Sequence, residues 1–321
     1  MGAPGRTALF AAAAAAAAAA IAAAVLAYAF HADLREQRAR IATGSQLVAT
    51  RCGAIEVALA GDTAGAPLLV IHGTGGGFDQ GLAIGADYAA RGWRVIAPSR
   101  FGYLRTPLPA DASPHNQADH FACLLDVLGV PDAAVLGASA GAISATQFAI
   151  RHPQRTRGLV LLVPAMWRPD PAPAMPRWAE RALDTVLAAD FPFWLAARIA
   201  PDTMRSLVLA TPRTAYDAAS ADDRRRADTL LREILPITER RAGLRNDARV
   251  TPRVARFDLE AIRVPTIAIS AKDDAFDTYA AARYTAAQIA DARFLGFERG
   301  GHLLLGHRDE VADAVDAMLP R

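Results

Sequence analysis

The chain has 321 residues, 52% hydrophobic and 21% charged, with a formal net charge of +2. That length holds one α/β domain plus an insertion, and the composition is that of a globular protein carrying one added apolar segment. Near-neutral charge argues against a nucleic-acid partner, because the single lysine, Lys272, and the arginines are scattered without a basic stripe.

The first element is an uncharged run from Ala8 to Phe30, dominated by Ala11 to Ala20 and continued by Ile21, Val25, Leu26 and Tyr28. As a helix it spans about 34 Å, enough to cross a bilayer. The leading expectation is a single-pass membrane protein held by this helix. The competing one is a signal peptide cleaved near Ala27-Tyr28-Ala29, which would leave a secreted or periplasmic protein. Arg6 on one side faces Arg35, Arg38 and Arg40 on the other, so orientation stays open. Residues 31 to 44 mix charges with good helix formers and read as a helical stalk ended by Gly44, giving an N-terminal unit over 1–44.

Val48 to Arg51 and Ile55 to Ala60, separated by Cys52-Gly53, read as an antiparallel hairpin. The apolar strand Pro67 to Ile71 runs into a glycine loop, His72-Gly73-Thr74-Gly75-Gly76-Gly77. A helix from about Phe78 to Ala90, the strand Arg94 to Ala97 and a helix capped by Ser113-Pro114 follow. Alternating strands and helices imply a mostly parallel sheet. Cys52 and Cys123 are expected as free, partly buried thiols. The seven histidines lack ligand-like spacing, so no metal is expected.

Ala133 to Leu136 form a buried strand that ends in Gly137-Ala138-Ser139-Ala140-Gly141. A G-x-S-x-G match is expected by chance only about 0.04 times in such a chain. After a strand it describes a nucleophile elbow, a turn so sharp that small flanking residues are required and the serine hydroxyl stands at the sheet edge. Beyond Leu159 to Val163 the strand signal disappears for about a hundred residues, and 166–259 read as an inserted helical lid between core segments 45–165 and 260–321. Trp167, Trp178, Phe191, Phe193 and Trp194 near its start either line an apolar pocket or pack the lid on the core. The charged runs Asp222 to Arg226 and Glu239 to Arg241 read as solvated helix faces. Thr266 to Ser270 is a late strand followed by Asp273-Asp274, and Arg293 to Phe297 is the last, followed by Gly300-Gly301-His302.

The order Ser, Asp, His, with a glycine loop after an earlier strand, resembles the α/β-hydrolase family over roughly residues 45 to 321. The resemblance implies an α/β-hydrolase fold, with a mostly parallel central sheet flanked by helices, and a serine hydrolase that needs no cofactor. Ser139 is the candidate nucleophile and His302 its base. Asp274 is the favoured orienting acid, because Ala271 then serves as the small residue three positions earlier; Asp273 is the alternative, and otherwise caps the turn. The backbone N–H groups of Ala140 and of Thr74 or Gly75 are the candidate oxyanion donors. Many relatives have an aspartate near Ser99 and a second glycine near Leu104, which this chain lacks. Arg100, Tyr103 and Arg105 offer carboxylate contacts, although salt bridges are the simpler reading. A serine at the elbow argues against epoxide or haloalkane hydrolysis, which would want a carboxylate there.

The expected activity is cleavage of an ester or lactone of a small to medium apolar substrate. The alternatives are hydrolysis of a carbon–carbon bond in a β-diketone-like substrate, and a catalytically silent binding protein on the same fold. The oligomeric state is left open.

Overall fold

Apolar β-branched runs alternating with amphipathic stretches build a sheet covered on both faces, and the computed structural model describes this over residues 3–170 and 176–319. Residues 171–175 of the expected lid lie outside the described residues. The chain opens with one unbroken helix, α1 (Ala3–Ala42), and the hairpin β1 (Gln46–Thr50) and β2 (Gly53–Gly61). There follow β3 (Pro67–Ile71), α2 (Phe78–Ala90), β4 (Arg94–Pro98), α3 (Pro114–Val127), β5 (Ala133–Ala138), α4 (Gly141–Arg151) and β6 (Thr156–Leu162). An inserted helical segment holds α5 (Arg177–Leu187), α6 (Asp190–Ile199), α7 (Pro201–Val208), α8 (Arg213–Ala218), α9 (Ala221–Glu233) and α10 (Arg241–Val250). The chain then returns through β7 (Thr266–Ala271), α11 (Thr278–Gln288), β8 (Arg293–Phe297) and α12 (Arg308–Met318).

The eight strands lie in the order β1-β2-β4-β3-β5-β6-β7-β8. β2 pairs antiparallel with β1 and β4, and every other pairing is parallel. Strand side chains alternate between faces, and the core follows that period of two. Leu69, Ile71, Val135, Leu159 and Leu161 join α3, α4 and α11 on one face. Leu68, Val70, Leu136, Val160 and Ile267 join α2 and α12 on the other. Each of these strand residues is fully buried, contributing roughly 1.5–3 kcal/mol by the usual transfer values. Ser113 caps α3 by accepting from the Asn116 amide at 3.3 Å, with Pro114 opening the helix.

One local expectation changes. Cys52 and Cys123 are not free thiols: they form a disulfide that ties the β1–β2 turn to α3. A hairpin turn and a helix separated by 71 positions carry no local sign that β1 lies beside α3. Residues 31 to 42 continue the same helix toward the rest of the chain. From Ala29 onward α1 packs on the inserted helices, with Leu34 buried and Phe30 set edge-on to Phe191 and Trp194. Asp33 accepts from Trp194 Nε1 at 2.7 Å and Arg198 at 2.6 Å. Up to Tyr28 the helix is exposed wherever its side chains are described.

Candidate active site

Parallel strands deliver their carboxyl ends to one edge of a sheet, and each candidate residue follows such an end. The turn after β5 places Ser139 at φ 51°, a left-handed conformation that costs energy for a residue with a Cβ. Its amide donates to the Leu162 carbonyl at 2.8 Å, and its carbonyl accepts from Ala142 and Ala165. The flanking glycines are required by close approach. A Cβ on Gly141 would lie 2.4 Å from the carbonyl oxygens of Ile71 and His72, and one on Gly137 would lie 2.6 Å from Ala145 Cβ.

After β7, Asp274 is buried; its Oδ2 accepts from His302 Nδ1 at 2.8 Å and from the Thr278 hydroxyl, and its Oδ1 from the Phe276 amide at 2.9 Å. A carboxylate only accepts, so Nδ1 carries the proton and Nε2 is the basic nitrogen of the neutral ring. Phe276 lies edge-on to the imidazole, with ring centroids 5.0 Å apart. Asp273 does different work: it accepts from the amides of Gly300 and Gly301, at 3.2 and 2.8 Å, and so shapes the turn that presents His302.

Ser139 and His302 line one cavity of ≈ 230 Å³, without a direct hydrogen bond between them among the described residues. Such contacts are often long in unliganded sites and tighten with substrate. Of the proposed oxyanion donors, the amides of Thr74 and Ala140 have no hydrogen-bond partner among the described residues, whereas Gly75 N–H already donates to the Tyr103 hydroxyl at 3.2 Å. The geometry therefore separates Thr74 from Gly75.

The glycine loop is held from below and from the insertion. His72 is fully buried, and burial, reinforced by Arg100, pushes its pKa down to about 3. It stays neutral, donating to the Gly73 carbonyl and accepting from the Arg100 amide at 2.9 Å, so it is committed to structure. Asp247 on α10 takes both arms of Arg100, the Tyr103 hydroxyl at 2.6 Å and the Thr74 hydroxyl at 2.9 Å. Burial opposes its ionisation, yet Arg100 and these donors hold its carboxyl below the ordinary range. Arg100 and Tyr103 are thus salt-bridge and hydrogen-bond partners, and Arg105 pairs with Glu56 at 2.7 Å. Leu104 adopts φ 51° where relatives were expected to have glycine, so the turn keeps its shape at a conformational cost.

The five aromatics of the insertion do not line the cavity. Phe193 and Trp194 pack inside the insertion, Phe191 stacks on Trp194, Trp167 meets Tyr284 and Trp178 is exposed. The lining is aliphatic instead, with Leu187, Leu207, Leu230 and Ile234 from the inserted helices. One member of the charged run read as solvated, Arg226, also lines the cavity. The pattern that reveals it is the spacing Arg226, Leu230, Ile234, one stripe of α9 at successive helical turns.

A family model for the alpha/beta hydrolase fold matches residues 66–308. A 2-hydroxymuconate semialdehyde hydrolase from a Pseudomonas species is 38% identical over 107 residues, 31% of this chain and 36% of that protein. The chain thus aligns with about a third of the length of the curated relatives it matches first. A pimeloyl-[acyl-carrier protein] methyl ester esterase from Aromatoleum aromaticum is 30% identical over 261 residues, 78% of this chain and 96% of that protein. Among solved structures, an alpha/beta hydrolase fold protein from Nakamurella multipartita superimposes with a TM-score of 0.67 at 28% identity, covering 86% of this chain and 98% of that one.

Proposed function

We propose that this chain, which belongs to the alpha/beta hydrolase fold family, is a serine hydrolase that cleaves an ester or lactone of a small to medium, largely apolar substrate. The observation that carries the reading is the buried Asp274–His302 pair opening on the same cavity as Ser139. A serine hydroxyl is a weak nucleophile until a base takes its proton, and His302 Nε2 is the nitrogen left free to do so. Attack on the carbonyl carbon forms a tetrahedral oxyanion, held by the amides of Thr74 and Ala140. Asp274 stabilises the imidazolium; that imidazolium protonates the departing alcohol, and water repeats the sequence on the acyl-enzyme.

A second reading, carbon–carbon bond hydrolysis, draws on the likeness to the 2-hydroxymuconate semialdehyde hydrolase. Product analysis on matched ester and β-diketone substrates separates the two. For either, Ser139→Ala should abolish labelling by a fluorophosphonate and lower turnover by about a thousandfold or more. Undiminished turnover rejects Ser139 as the nucleophile, and a wild-type protein that is neither labelled nor active leaves a binding role.

We further propose that α1 is a retained membrane anchor with the catalytic domain on the oxidising side. Support comes from its uninterrupted helix, exposed through the apolar run and packed from Ala29 onward, and from the Cys52–Cys123 disulfide. Full-length protein should stay with membranes after alkaline carbonate extraction; release into the supernatant refutes the anchor.

A further inference from the structure

Arginine stays protonated at any ordinary pH, so a guanidinium against an apolar wall needs an anion or water to offset its lost hydration. Buried arginines elsewhere in this chain have one: Arg240 holds Asp79, Arg100 holds Asp247 and Arg205 holds Asp228. Arg226 is half-buried and lines the cavity, yet it has no hydrogen-bond or ion-pair partner among the described residues. Neither nearby acid forms an ion pair with it among the described residues. Both oxygens of Asp87 are taken by Arg308, and Oδ2 of Asp223 accepts from the Ser220 hydroxyl and the Gly306 amide. Burial and the neighbouring charge of Arg308 both work against Arg226 carrying its own charge.

Helix α2 serves as a ruler along this cavity. Gln80 stands at the nucleophile end, accepting from the Gly73 amide at 2.8 Å beside Ser139. Asp87 and Tyr88, seven and eight residues later, line the end where Arg226 lies. At 1.5 Å per residue the two ends are about 10–12 Å apart. Ile84 lies between them on α2, and the cavity wall also carries Leu230 and Leu305.

We propose that Arg226 is a carboxylate-binding subsite, and that the substrate joins its scissile carbonyl to a terminal carboxylate through an apolar chain spanning that distance. At roughly 1.2 Å per bond along an extended chain, the match is an ester of a diacid of about eight to ten carbons. The guanidinium offers paired N–H donors to a carboxylate, and a neutral chain end would leave it unpaired. The inference rests on the hydrolase reading for which bond is cleaved, but not for the binding of the anion.

The test compares kcat/KM for mono-p-nitrophenyl esters of diacids from four to twelve carbons with p-nitrophenyl esters of monoacids of equal length. In the wild type the diacid-to-monoacid ratio should reach about tenfold or more near eight to ten carbons. Arg226→Gln should lower that ratio about tenfold, and Arg226→Lys should retain part of it. A wild-type ratio below one at every length, or a ratio unmoved by Arg226→Gln, overturns the proposal while leaving ester hydrolysis standing. Calorimetry on Ser139→Ala supplies a readout independent of turnover: monomethyl octanedioate should bind about tenfold tighter than methyl octanoate, and equal affinity also overturns it. The wild-type length series and this calorimetry decide the matter even if Arg226→Gln fails to fold.

Discussion

Asp79 is where one substitution should report on the attachment of the insertion to the core. It sits in the first turn of α2, its side chain 8% exposed, and accepts from two arginines that reach it from separate parts of the chain. Arg240, just ahead of α10, is fully buried and gives Nη2 to Oδ2 at 2.6 Å and Nη1 to Oδ1 at 3.2 Å; Arg40 of α1 adds a bond at 2.7 Å. Burial pushes the Asp79 carboxyl up, but the two guanidiniums outweigh it and bring the pKa from 3.8 down to about 2. At 1.36 kcal/mol per pKa unit, that difference is worth about 2 kcal/mol at neutral pH. Asp79→Asn also leaves the Arg240 charge buried and uncompensated, for which broken buried pairs suggest about 3–5 kcal/mol. With unfolding entropy near 2.1 cal/mol/K per residue, a loss of about 2–5 kcal/mol lowers the melting midpoint by roughly 3–8 °C. The assay is calorimetry of full-length protein in detergent, at pH 7 and at pH 3. A depressed folded pKa means stability that is complete above the unfolded value and lost as pH falls toward 2, so about half of the Coulombic part should be gone by pH 3. The gap between wild type and variant must therefore narrow on acidification. A midpoint unchanged at pH 7, or a gap that widens toward pH 3, refutes the reasoning.

Asp274→Asn should lower kcat by about a thousandfold or more in an ester assay, because the amide no longer stabilises imidazolium, while Asp273→Asn should cost less than about tenfold. Comparable losses would refute the division between them, and a larger loss at Asp273 would reverse it. Cys52→Ser should destabilise by up to about 4 kcal/mol on the chain-entropy view of a 71-residue separation, read as a lower midpoint with near-normal kcat. A variant as stable as wild type would mean that the crosslink adds nothing. Amide hydrogens of α10 should exchange far more slowly than those of α5, because α10 carries the buried ion pairs; the reverse order would contradict the tethering.

The elements that make the site were legible because each is dictated locally. A six-residue apolar strand has one way to end in G-A-S-A-G, and the carbonyls of Ile71 and His72 lie where a larger residue at Gly141 would need room. The division of labour between Asp273 and Asp274 was half legible: spacing from Ala271 favours one, while the bond from Gly301 to the other exists only once β7 and β8 are neighbours. Contacts between distant segments carried no local signal. Asp247 reads as one more acid on a polar helix until α10 is laid beside the glycine loop, where it holds Thr74, Arg100 and Tyr103 together. The aromatics left two readings open for a related reason. Trp194 and Phe191 meet Phe30 of α1, a surface that no pattern within the insertion announces.

Two buried ion pairs straddle the boundary between sheet core and insertion with opposite polarity. Arg100 of the core holds Asp247 of α10, and Asp79 of the core holds Arg240. Swinging α10 away would separate both at once and take the Asp247 carboxylate from the Thr74 hydroxyl. On the other side of the insertion α7 presents Leu207, which lines the cavity while remaining 38% exposed, and no comparable ion pair binds it to the sheet among the described residues. Directly after α7 the buried Ala210 carbonyl accepts from the amides of Ala275 and His302 at 3.2 and 3.3 Å, so this edge of the insertion is tied to the turn that presents His302 by neutral hydrogen bonds instead of ion pairs.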